Sequence, residues 1–401
     1  MNAVKARPAW VGLLVIVALG INLRPILTSI GPLLDEIRQA TGLGFQGASL
    51  LTVLPVLCMG GLALGLPWIG PRLGENRGML GGLLAIGAAC LWRLLLDSGM
   101  ALVASAILAG LGVAIIQALV PGVIKRWFPH HVPGAMGLYS ASLMAGGGTA
   151  AVSAPWLLGH GASWQTGLGV WGLFAVLGLA LWMLARPRET QAPAVQARGG
   201  HFFGSRRAWL LASYFGLING GYTSMVAWLP MAYRQLGWSA EHSGALIGLM
   251  TLFQVLGALS MPVLGRRSSD RRPWLVLCLC IQLAGFAGLL LAPLGWPLVW
   301  VALIGFGLGS CFALSLTLTL DHLAEPGAAG RLAAFVQGIG FIITGIVPYL
   351  TGWLRALTGD FQASWLLLAV SVVAMLGVTL RFAPGGYARA MRQAPHIEVA
   401  R

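Results

Sequence analysis

One arginine, Arg24, lies in the middle of the first long apolar segment, followed directly by Pro25. An arginine near the centre of a membrane helix costs roughly 2.5–3.5 kcal/mol to insert, so such residues usually face a water-filled cavity on a substrate or ion path. Pro25 cannot donate to the carbonyl of Ile21 and disfavours helical geometry at Arg24, so we expect the helix to bend or open here. A fixed positive charge beside a broken turn suits a small anion. The alternative is that Arg24 reaches an interface or pairs with a carboxylate, the nearest being Asp35 and Glu36.

Other polar side chains also lie far from the expected membrane surfaces. Each would cost free energy in lipid, so we expect each to face the interior or a partner. The candidate substrate contacts are Asn22, Thr28, Gln117, Tyr139, Ser142, Asn219, Tyr222 and Gln337. Thr28 follows Arg24 by four residues and so shares roughly its face. Hydrogen bonding between helices is the alternative role for Gln117, Asn219 and Tyr222, and Gln337 also suits a structural link or a gate.

The acidic residues are informative because all eleven lie in loops or near helix ends. None is therefore available at the membrane midplane as a proton relay. The candidate gating or coupling groups are Asp35, Glu36, Gln254 and Asp321. Ordinary end charges are the alternative for the three acids, and a link between helices is the alternative for Gln254. Asp97 follows Arg93 by four residues, and we expect the two to pair.

The composition indicates the elements that position these residues. The 401-residue chain is 57% hydrophobic and 9% charged, which leaves too little polar surface for a soluble globule. A bilayer core needs about 20 apolar residues per helix. Hydropathy predicts twelve segments, at 9–31, 45–66, 78–96, 100–124, 134–158, 165–185, 208–231, 242–264, 273–293, 296–320, 332–354 and 362–382. We therefore expect an all-α membrane protein with twelve transmembrane helices.

The formal net charge of +14 reflects topology and does not indicate a nucleic-acid partner. Twenty of the 25 lysines and arginines fall in the termini and in the loops on one side of the predicted helices. Cytoplasmic loops carry such an excess. The pattern predicts a multi-pass membrane protein with both termini in the cytoplasm.

The longest polar interval away from the ends, residues 186–207, predicts a cytoplasmic linker. It divides the chain into a six-helix bundle at 1–185 and a second at 208–401, which ends in a short cytoplasmic tail. Three consecutive glycines, Gly146–Gly148, in the predicted fifth helix allow close helix packing and are a candidate flexing point.

The two halves repeat each other at an offset of 195 residues. Gly42 matches Gly237, and one ungapped register runs from the first helix to the third. Parallel repeats of this kind place a substrate site between the halves near the midplane, with access alternating by rocking. Arg24 corresponds to Asn219, so one fixed cation opposes a neutral amide, which suits a monoanion better than a polyanion.

Residue patterns typical of enzymes do not occur in the sequence. The histidines lie at helix ends or in loops without metal-ligand spacing, and there is no nucleophile elbow and no phosphate-binding loop. We expect no catalytic residues, no metal and no cofactor, which leaves a membrane-embedded enzyme as a third hypothesis.

Several stretches together resemble a known family. They are Asn22–Pro25, Ile116–Lys125, Ile218–Tyr222, Ala227–Pro230, Leu320–His322 and Gln337–Ile343. These stretches resemble the cyanate transporters in the cyanate and nitroimidazole branch of the major facilitator superfamily, and the resemblance covers nearly the whole chain. It implies two six-helix bundles and an inner-membrane carrier for cyanate, a small linear monoanion.

Two alternatives are kept for the coupling of transport and two for the substrate class. A coupling proton and exchange for bicarbonate are both considered, and we expect the protein to act as a monomer in the lipid bilayer. The alternative substrate class is nitroimidazole-like or other small aromatic compounds that are exported, with Tyr222, Trp228 and Phe341 as stacking surfaces. A receptor or scaffold without transport is the hypothesis from a different class.

Overall fold

The computed structural model describes residues 9–185 and 202–392, which form helices joined by short loops. The first and sixth predicted segments are each divided into a main helix and shorter ones, and the twelve segments together contain twelve main helices. They are α1 (Ala9–Ile21), α2 (Phe45–Leu73), α3 (Glu75–Arg93), α4 (Gly99–Trp127), α5 (Val132–Gly159), α6 (Trp171–Ala185), α7 (Arg206–Gln235), α8 (Ala240–Leu264), α9 (Arg272–Leu291), α10 (Pro297–Asp321), α11 (Pro326–Thr358) and α12 (Gln362–Thr379). Shorter helices occur at Pro25–Thr28, Gly31–Leu33, Leu34–Thr41, Trp164–Gly169, Phe202–Gly204, Gly265–Arg267, Pro384–Gly386 and Tyr387–Arg392.

Eight segments of the described chain are both long and apolar enough to cross a membrane. The other four helices, α2, α3, α5 and α7, have 29, 19, 28 and 30 residues and complete the set of twelve. At 1.5 Å per residue, even the shortest is about 28 Å long, close to the thickness of a hydrocarbon core. The predicted all-α membrane fold is confirmed.

The first membrane segment is broken where Pro25 predicts a break. α1 ends at Ile21, and a four-residue helix begins at Pro25, with Arg24 at its N-terminal boundary. Between the two helices, the amides of Asn22 and Leu23 donate to carbonyls only three residues back, at 3.2 and 3.1 Å. The break places the Arg24 side chain on an irregular turn instead of on a continuous helix.

Equivalent helices in the two halves make equivalent contacts. α1 packs on α5 as α7 packs on α11, and α2 packs on α4 as α8 packs on α10. The loop glycines matched by the repeat, Gly42 and Gly237, both have positive φ, 68° and 90°. This left-handed backbone favours glycine, so both halves make the same turn at the same register.

The two halves meet through α2 with α11, α5 with α8, and α4 with α11. Small residues allow a close approach at each interface. A Cβ placed on Gly137 of α5 would lie 2.7 Å from the carbonyl oxygen of Ala258 on α8, and one placed on Gly330 of α11 would lie 3.2 Å from the Cα of Gly122 on α4. These contacts bring the helices together without intervening side chains.

The connection between the halves lies mostly outside the described residues, which exclude 186–201. After it, Phe202–Gly204 forms a 3₁₀ turn, and α7 begins at Arg206, two residues earlier than expected. Ser205 caps that helix by accepting a hydrogen bond from the amide of Ala208 at 3.3 Å. The division into two bundles with a cytoplasmic linker stays a prediction.

Candidate functional site

A cavity with about 320 Å³ of empty volume lies where the broken first segment faces α5, α7, α8 and α10. Its lining therefore comes from both halves of the repeat. The residues that line it are Arg24, Leu143, Met144, Gly147, Ile218, Asn219, Tyr222, Gln254, Leu308 and Phe312. Its position between the repeats agrees with the place where paired-repeat membrane proteins bind their ligands.

Arg24 is the positive charge in the lining. Its side chain is only 8% exposed, and its Nε has no hydrogen-bond partner. Among the described residues, the guanidinium donates no hydrogen bond and forms no ion pair. The alternative that Arg24 pairs structurally with a carboxylate is therefore not supported by the described contacts. A buried, unpaired guanidinium facing a cavity is an electrostatic site for an anion.

Tyr222 and Asn219 place polar groups of α7 in the same cavity. The Tyr222 ring centroid lies 5.5 Å from the Cζ of Arg24, within the range of a cation–π contact. Asn219 uses its amide nitrogen to donate to the carbonyl of Phe215 at 2.9 Å. An amide nitrogen has two N–H groups, so one donor remains after this bond.

Gln254 on α8 also lines the cavity, although the sequence suggested a gate or a link between helices. It is 2% exposed, and its Oε1 has no hydrogen-bond partner among the described residues. Among the described residues, the lining thus contains one cation and three neutral polar side chains, and no Asp or Glu.

The remaining lining side chains are apolar, and sequence reasoning missed all of them. They are Leu143, Met144, Ile218, Leu308 and Phe312. An apolar residue in an apolar helix carries no signal that separates a cavity wall from a lipid-facing or core position. Gly147, which also lines the cavity, had been recognised only as part of the glycine triplet.

Asn22 and Thr28 lie near Arg24 but are not among the lining residues. Asn22 donates to the carbonyl of Ala18 at 2.7 Å and to that of Phe174 on α6 at 3.0 Å. Thr28 donates to the carbonyl of Arg24 at 3.2 Å. These bonds hold the broken segment in place, and direct substrate contact by either residue stays a prediction.

Tyr139 and Ser142 lie on α5, where α1 packs against it. Tyr139 is fully buried and its hydroxyl has no partner among the described residues, whereas Ser142 donates to the carbonyl of Leu138 at 2.6 Å. A Cβ on Gly20 of α1 would lie 2.8 Å from the Cβ of Ser142. Both residues are thus part of a helix interface beside the cavity and are not in its lining.

Gln117 and Gln337 meet where α4 of the first half contacts α11 of the second. The Nε2 of Gln337 donates to the backbone carbonyl of Gln117 at 3.2 Å. Neither polar atom of the Gln117 side chain has a hydrogen-bond partner among the described residues, although the residue is 2% exposed. The pair links the halves, and neither residue lines the cavity.

Trp228 and Phe341 lie between α7 and α11 and outside the lining. Trp228 donates through its Nε1 to the carbonyl of Pro348 at 2.9 Å. The ring of Phe341 contacts that of Phe215 edge-on, with centroids 5.6 Å apart. Of the three proposed stacking surfaces, only Tyr222 reaches the cavity.

The end of the bundle that carries Lys125, Arg207 and Arg271, here called the basic end, is closed across the halves. Lys125, near the end of α4, donates to the carbonyls of Leu320 and Leu323 at the end of α10. Together with the Gln117–Gln337 contact, these hydrogen bonds hold the last three turns of α4 against the second half. These contacts tie the two halves together at the basic end.

Asp321, one of the proposed gates, lies at this end. Its Oδ2 accepts a hydrogen bond from the Nε of Arg271 at 2.8 Å, and Arg271 also donates to the carbonyl of Gly265 at 2.8 Å. This ion pair ties α10 to the loop between α8 and α9. A gating role for Asp321 stays a prediction.

The other two proposed gates lie in the helix Leu34–Thr41. Glu36 is half-buried there, and the side chain of Asp35 is outside the described part of the structure. Glu36 is not among the residues that line the cavity.

The predicted pair of Arg93 with Asp97 is wrong. α3 ends at Arg93, so Asp97 lies beyond the helix and the four-residue spacing no longer places the two side chains together. Arg93 is fully buried and donates through its Nε to the hydroxyl of Ser105 at 3.0 Å. Asp97 instead accepts from Gln165 at 3.3 Å.

No group of three or more histidine, cysteine, aspartate or glutamate residues that could hold a metal ion occurs within the described ranges.

Comparison with known proteins gives a consistent result. A family profile described as Major Facilitator Superfamily matches residues 12–345. The chain is 47% identical to the cyanate transport protein CynX of Escherichia coli over 93% of this chain and 97% of the relative. It is 29% identical to the 2-nitroimidazole transporter of E. coli, over 90% of this chain and 92% of the relative.

Solved structures show the same fold at low sequence identity. The fucose transporter FucP in the outward conformation has a TM-score of 0.75 at 15% identity, covering 94% of this chain and all of that one. The proton:xylose symporter XylE has a TM-score of 0.72 at 15% identity, covering 93% of this chain and 95% of the other.

Proposed function

The chain belongs to the Major Facilitator Superfamily and is a multi-pass membrane transporter, not an enzyme, and from this premise we propose that it carries cyanate by alternating access. The observation that carries the proposal is the unpaired guanidinium of Arg24 in a cavity between the two halves. The 47% identity to CynX of E. coli supports cyanate as the anion.

The charge of the cavity supports a monoanion. One guanidinium faces three neutral polar side chains, and none of the described carboxylates lines the cavity. A single negative charge would be balanced by Arg24, whereas a second would stay uncompensated in a buried site, which is costly. Asn219, Tyr222 and Gln254 would hydrogen-bond the rest of a small linear anion.

Transport by rocking of the two halves is supported by their equivalent contacts and by the closed basic end. The Lys125 and Gln117–Gln337 contacts would have to break for the cavity to open at that end. We propose that the basic end is cytoplasmic, with both termini there, because 20 of the 25 lysines and arginines mark that side. The membrane in this proposal is the bacterial inner membrane. One chain supplies all the residues that line the cavity, which supports function as a monomer.

Uptake of a monoanion works against an inside-negative potential by roughly 2.3 kcal/mol per 100 mV. Exchange for bicarbonate, or consumption of cyanate inside the cell, would offset this cost. A dedicated proton relay has less support, because the cavity lining contains no carboxylate from the described part of the chain. Uptake that responds to an imposed pH gradient at fixed potential would contradict this preference.

The test is uptake of labelled cyanate into proteoliposomes, with both polarities of potential imposed. We expect saturable uptake by the intact protein and at least about a tenfold loss in Arg24→Gln. Arg234→Gln, at an exposed position near the end of α7, is the matched control and should transport normally. If the intact protein moves no cyanate under either polarity, cyanate is not its substrate.

A second candidate function is export of nitroimidazole-like compounds, favoured by the 29% identity to the 2-nitroimidazole transporter and by the aromatic rings of Tyr222 and Phe312 in the lining. Expression that protects cells from 2-nitroimidazole, without cyanate uptake in vesicles, would favour this function over the first.

A further inference from the structure

Three consecutive glycines of α5 contact three different parts of the molecule. Gly146 lies against the backbone of Ile21, where α1 ends, and Gly147 lies against the side chain of Arg24. Gly148 lies against Thr251 of α8, which belongs to the other half. One turn of α5 therefore contacts the broken helix, the cation of the cavity and the opposing half.

The approach of Gly146 to α1 leaves no room for a side chain. A Cβ at this position would lie 2.3 Å from the carbonyl oxygen of Ile21 and 2.9 Å from its Cα. Because both atoms belong to the backbone, they cannot move aside by changing a rotamer. The contact fixes the end of α1, three residues before Arg24.

Gly147 contacts Arg24 itself. A Cβ at this position would lie 3.0 Å from the Cβ and 3.6 Å from the Cγ of Arg24, and 3.5 Å from the Cγ2 of Thr28. Because Gly147 has no side chain, the Cβ and Cγ of Arg24 can lie close to its backbone. Adding a methyl group would displace the arginine by a few tenths of an ångström.

Gly148 faces Thr251, whose orientation is fixed by its own helix. The hydroxyl of Thr251 donates to the carbonyl of Ile247 at 2.9 Å. A Cβ on Gly148 would lie 2.5 Å from the Cγ2 of Thr251, but 3.3 Å from its Cβ and 3.7 Å from its hydroxyl oxygen. The methyl group of Thr251 is therefore the main obstacle to a side chain here.

We propose that Gly147 is a positioning residue for Arg24 and that Gly148 links this position to the α5–α8 contact between the halves. The proposal rests on the proposed function, because it assigns the anion to Arg24. A displacement of α5 against α8 then moves Gly148, and with it the adjacent Gly147, which contacts Arg24. Anion binding and movement of the halves therefore depend on the same turn of α5.

The first test compares Gly147→Ala and Gly148→Ala in cyanate uptake. Gly345→Ala is the matched control, since Gly345 lies in the middle of α11, the equivalent of α5, with nothing within 4 Å of its added Cβ. We expect Gly147→Ala to raise KM about fivefold or more, because small displacements of a binding group are costly. Gly148→Ala should lower the maximal rate about fivefold with less than about twofold change in KM.

The second test is rescue. Thr251→Ser removes the Cγ2 that opposes Gly148 and keeps the hydroxyl, so Gly148→Ala with Thr251→Ser should recover at least about half of the maximal rate shown by Thr251→Ser alone. A merely destabilised fold would not recover in this way. Equal KM values for Gly147→Ala and Gly345→Ala, or no rescue, would overturn the proposal.

A third measurement is independent of transport. Phenylglyoxal modifies free guanidinium groups, and peptide mass spectrometry gives its rate at Arg24. We expect Gly147→Ala to change this rate and Gly345→Ala to leave it unchanged. If the intact protein carries no cyanate, the proposed function fails, and the rate at Arg24 still decides whether Gly147 positions the arginine.

Discussion

The Tyr222 ring lies over the guanidinium of Arg24, with its centroid 5.5 Å from Cζ, and the two residues come from opposite halves of the molecule. The contact therefore spans the interface along which the halves would move. Among the described residues, the Arg24 guanidinium forms no hydrogen bond and no ion pair, so this cation–π contact is its direct interaction with the other half. An anion bound at Arg24 would lie beside a contact that changes when the halves separate.

Tyr222→Leu should raise KM for cyanate about 2- to 30-fold, because it removes a cation–π contact of about 0.5–2 kcal/mol. Tyr222→Phe keeps the ring and loses only the hydroxyl that would hydrogen-bond the anion, so it should raise KM less than Tyr222→Leu does. Tyr349→Leu, at a position 71% exposed on α11, controls for loss of a tyrosine. An equal effect of Phe and Leu at position 222 would instead assign the role to the hydroxyl group.

Asn22→Leu should destabilise the protein without altering substrate affinity. The change removes buried hydrogen bonds to the carbonyls of Ala18 and Phe174, at about 1–3 kcal/mol in total. The thermal unfolding midpoint in detergent should fall by several degrees, while the exposed control Gln235→Leu should leave it unchanged. A raised KM in the folded variant would show that Asn22 contacts the substrate after all.

Lys125→Met should favour opening at the basic end. The ammonium donates to two backbone carbonyls across the halves, and hydrogen bonds to charged groups contribute about 1.5–3 kcal/mol. The open population should rise about tenfold or more, measured as spin-label distances between the ends of α4 and α10. Arg77→Met, an exposed change near the same end, serves as the control, and identical distances in both variants would exclude a latch role for Lys125.

The stability of the protein should fall between pH 6.5 and pH 4 because of His322. Burial lowers the pKa of this histidine to about 4, and its Nδ1 lies 2.7 Å from the carbonyl oxygen of Leu318, while its ring stacks on that of Tyr387 with centroids 4.0 Å apart. The unfolded chain binds the proton more readily, so the stabilisation is complete above pH 6.5 and is lost as the pH falls to about 4. The loss amounts to about 3 kcal/mol.

The measurement is the thermal unfolding midpoint from pH 8 to pH 4. His322→Gln should show a smaller decrease across this range than the intact protein, whereas His160→Gln, at an exposed position, should behave like the intact protein. Parallel curves for the intact protein and His322→Gln would mean that other groups cause the acid sensitivity.

The sequence alone predicts the features that depend on local chemistry. Pro25 interrupts a helix because it lacks a backbone donor, so the break could be predicted. A charge in an apolar segment needs polar surroundings, so the position of Arg24 at a cavity could be predicted as well. Asn22 shows the limit of this reasoning. It lies two residues from Arg24, so the two side chains face different directions and only one reaches the cavity.

Features that depend on the partner helix could not be predicted. Trp228 and Phe341 have the size and chemistry of stacking surfaces, but the packing of α7 on α11 encloses them away from the cavity. Phe312 looks no different in the sequence and does line the cavity. For Arg93, the four-residue rule failed because the helix ends at that residue.

Gln117 gives the closed basic end a built-in tendency to reopen. Both ends of its amide are buried without partners among the described residues where α4 meets α11, and each such group costs about 1–3 kcal/mol relative to a solvated one. Water that enters when the halves part would hydrate the amide and recover this free energy. The unpaired amide therefore raises the free energy of the closed arrangement. This favours reopening, so that the carrier can return to its other state.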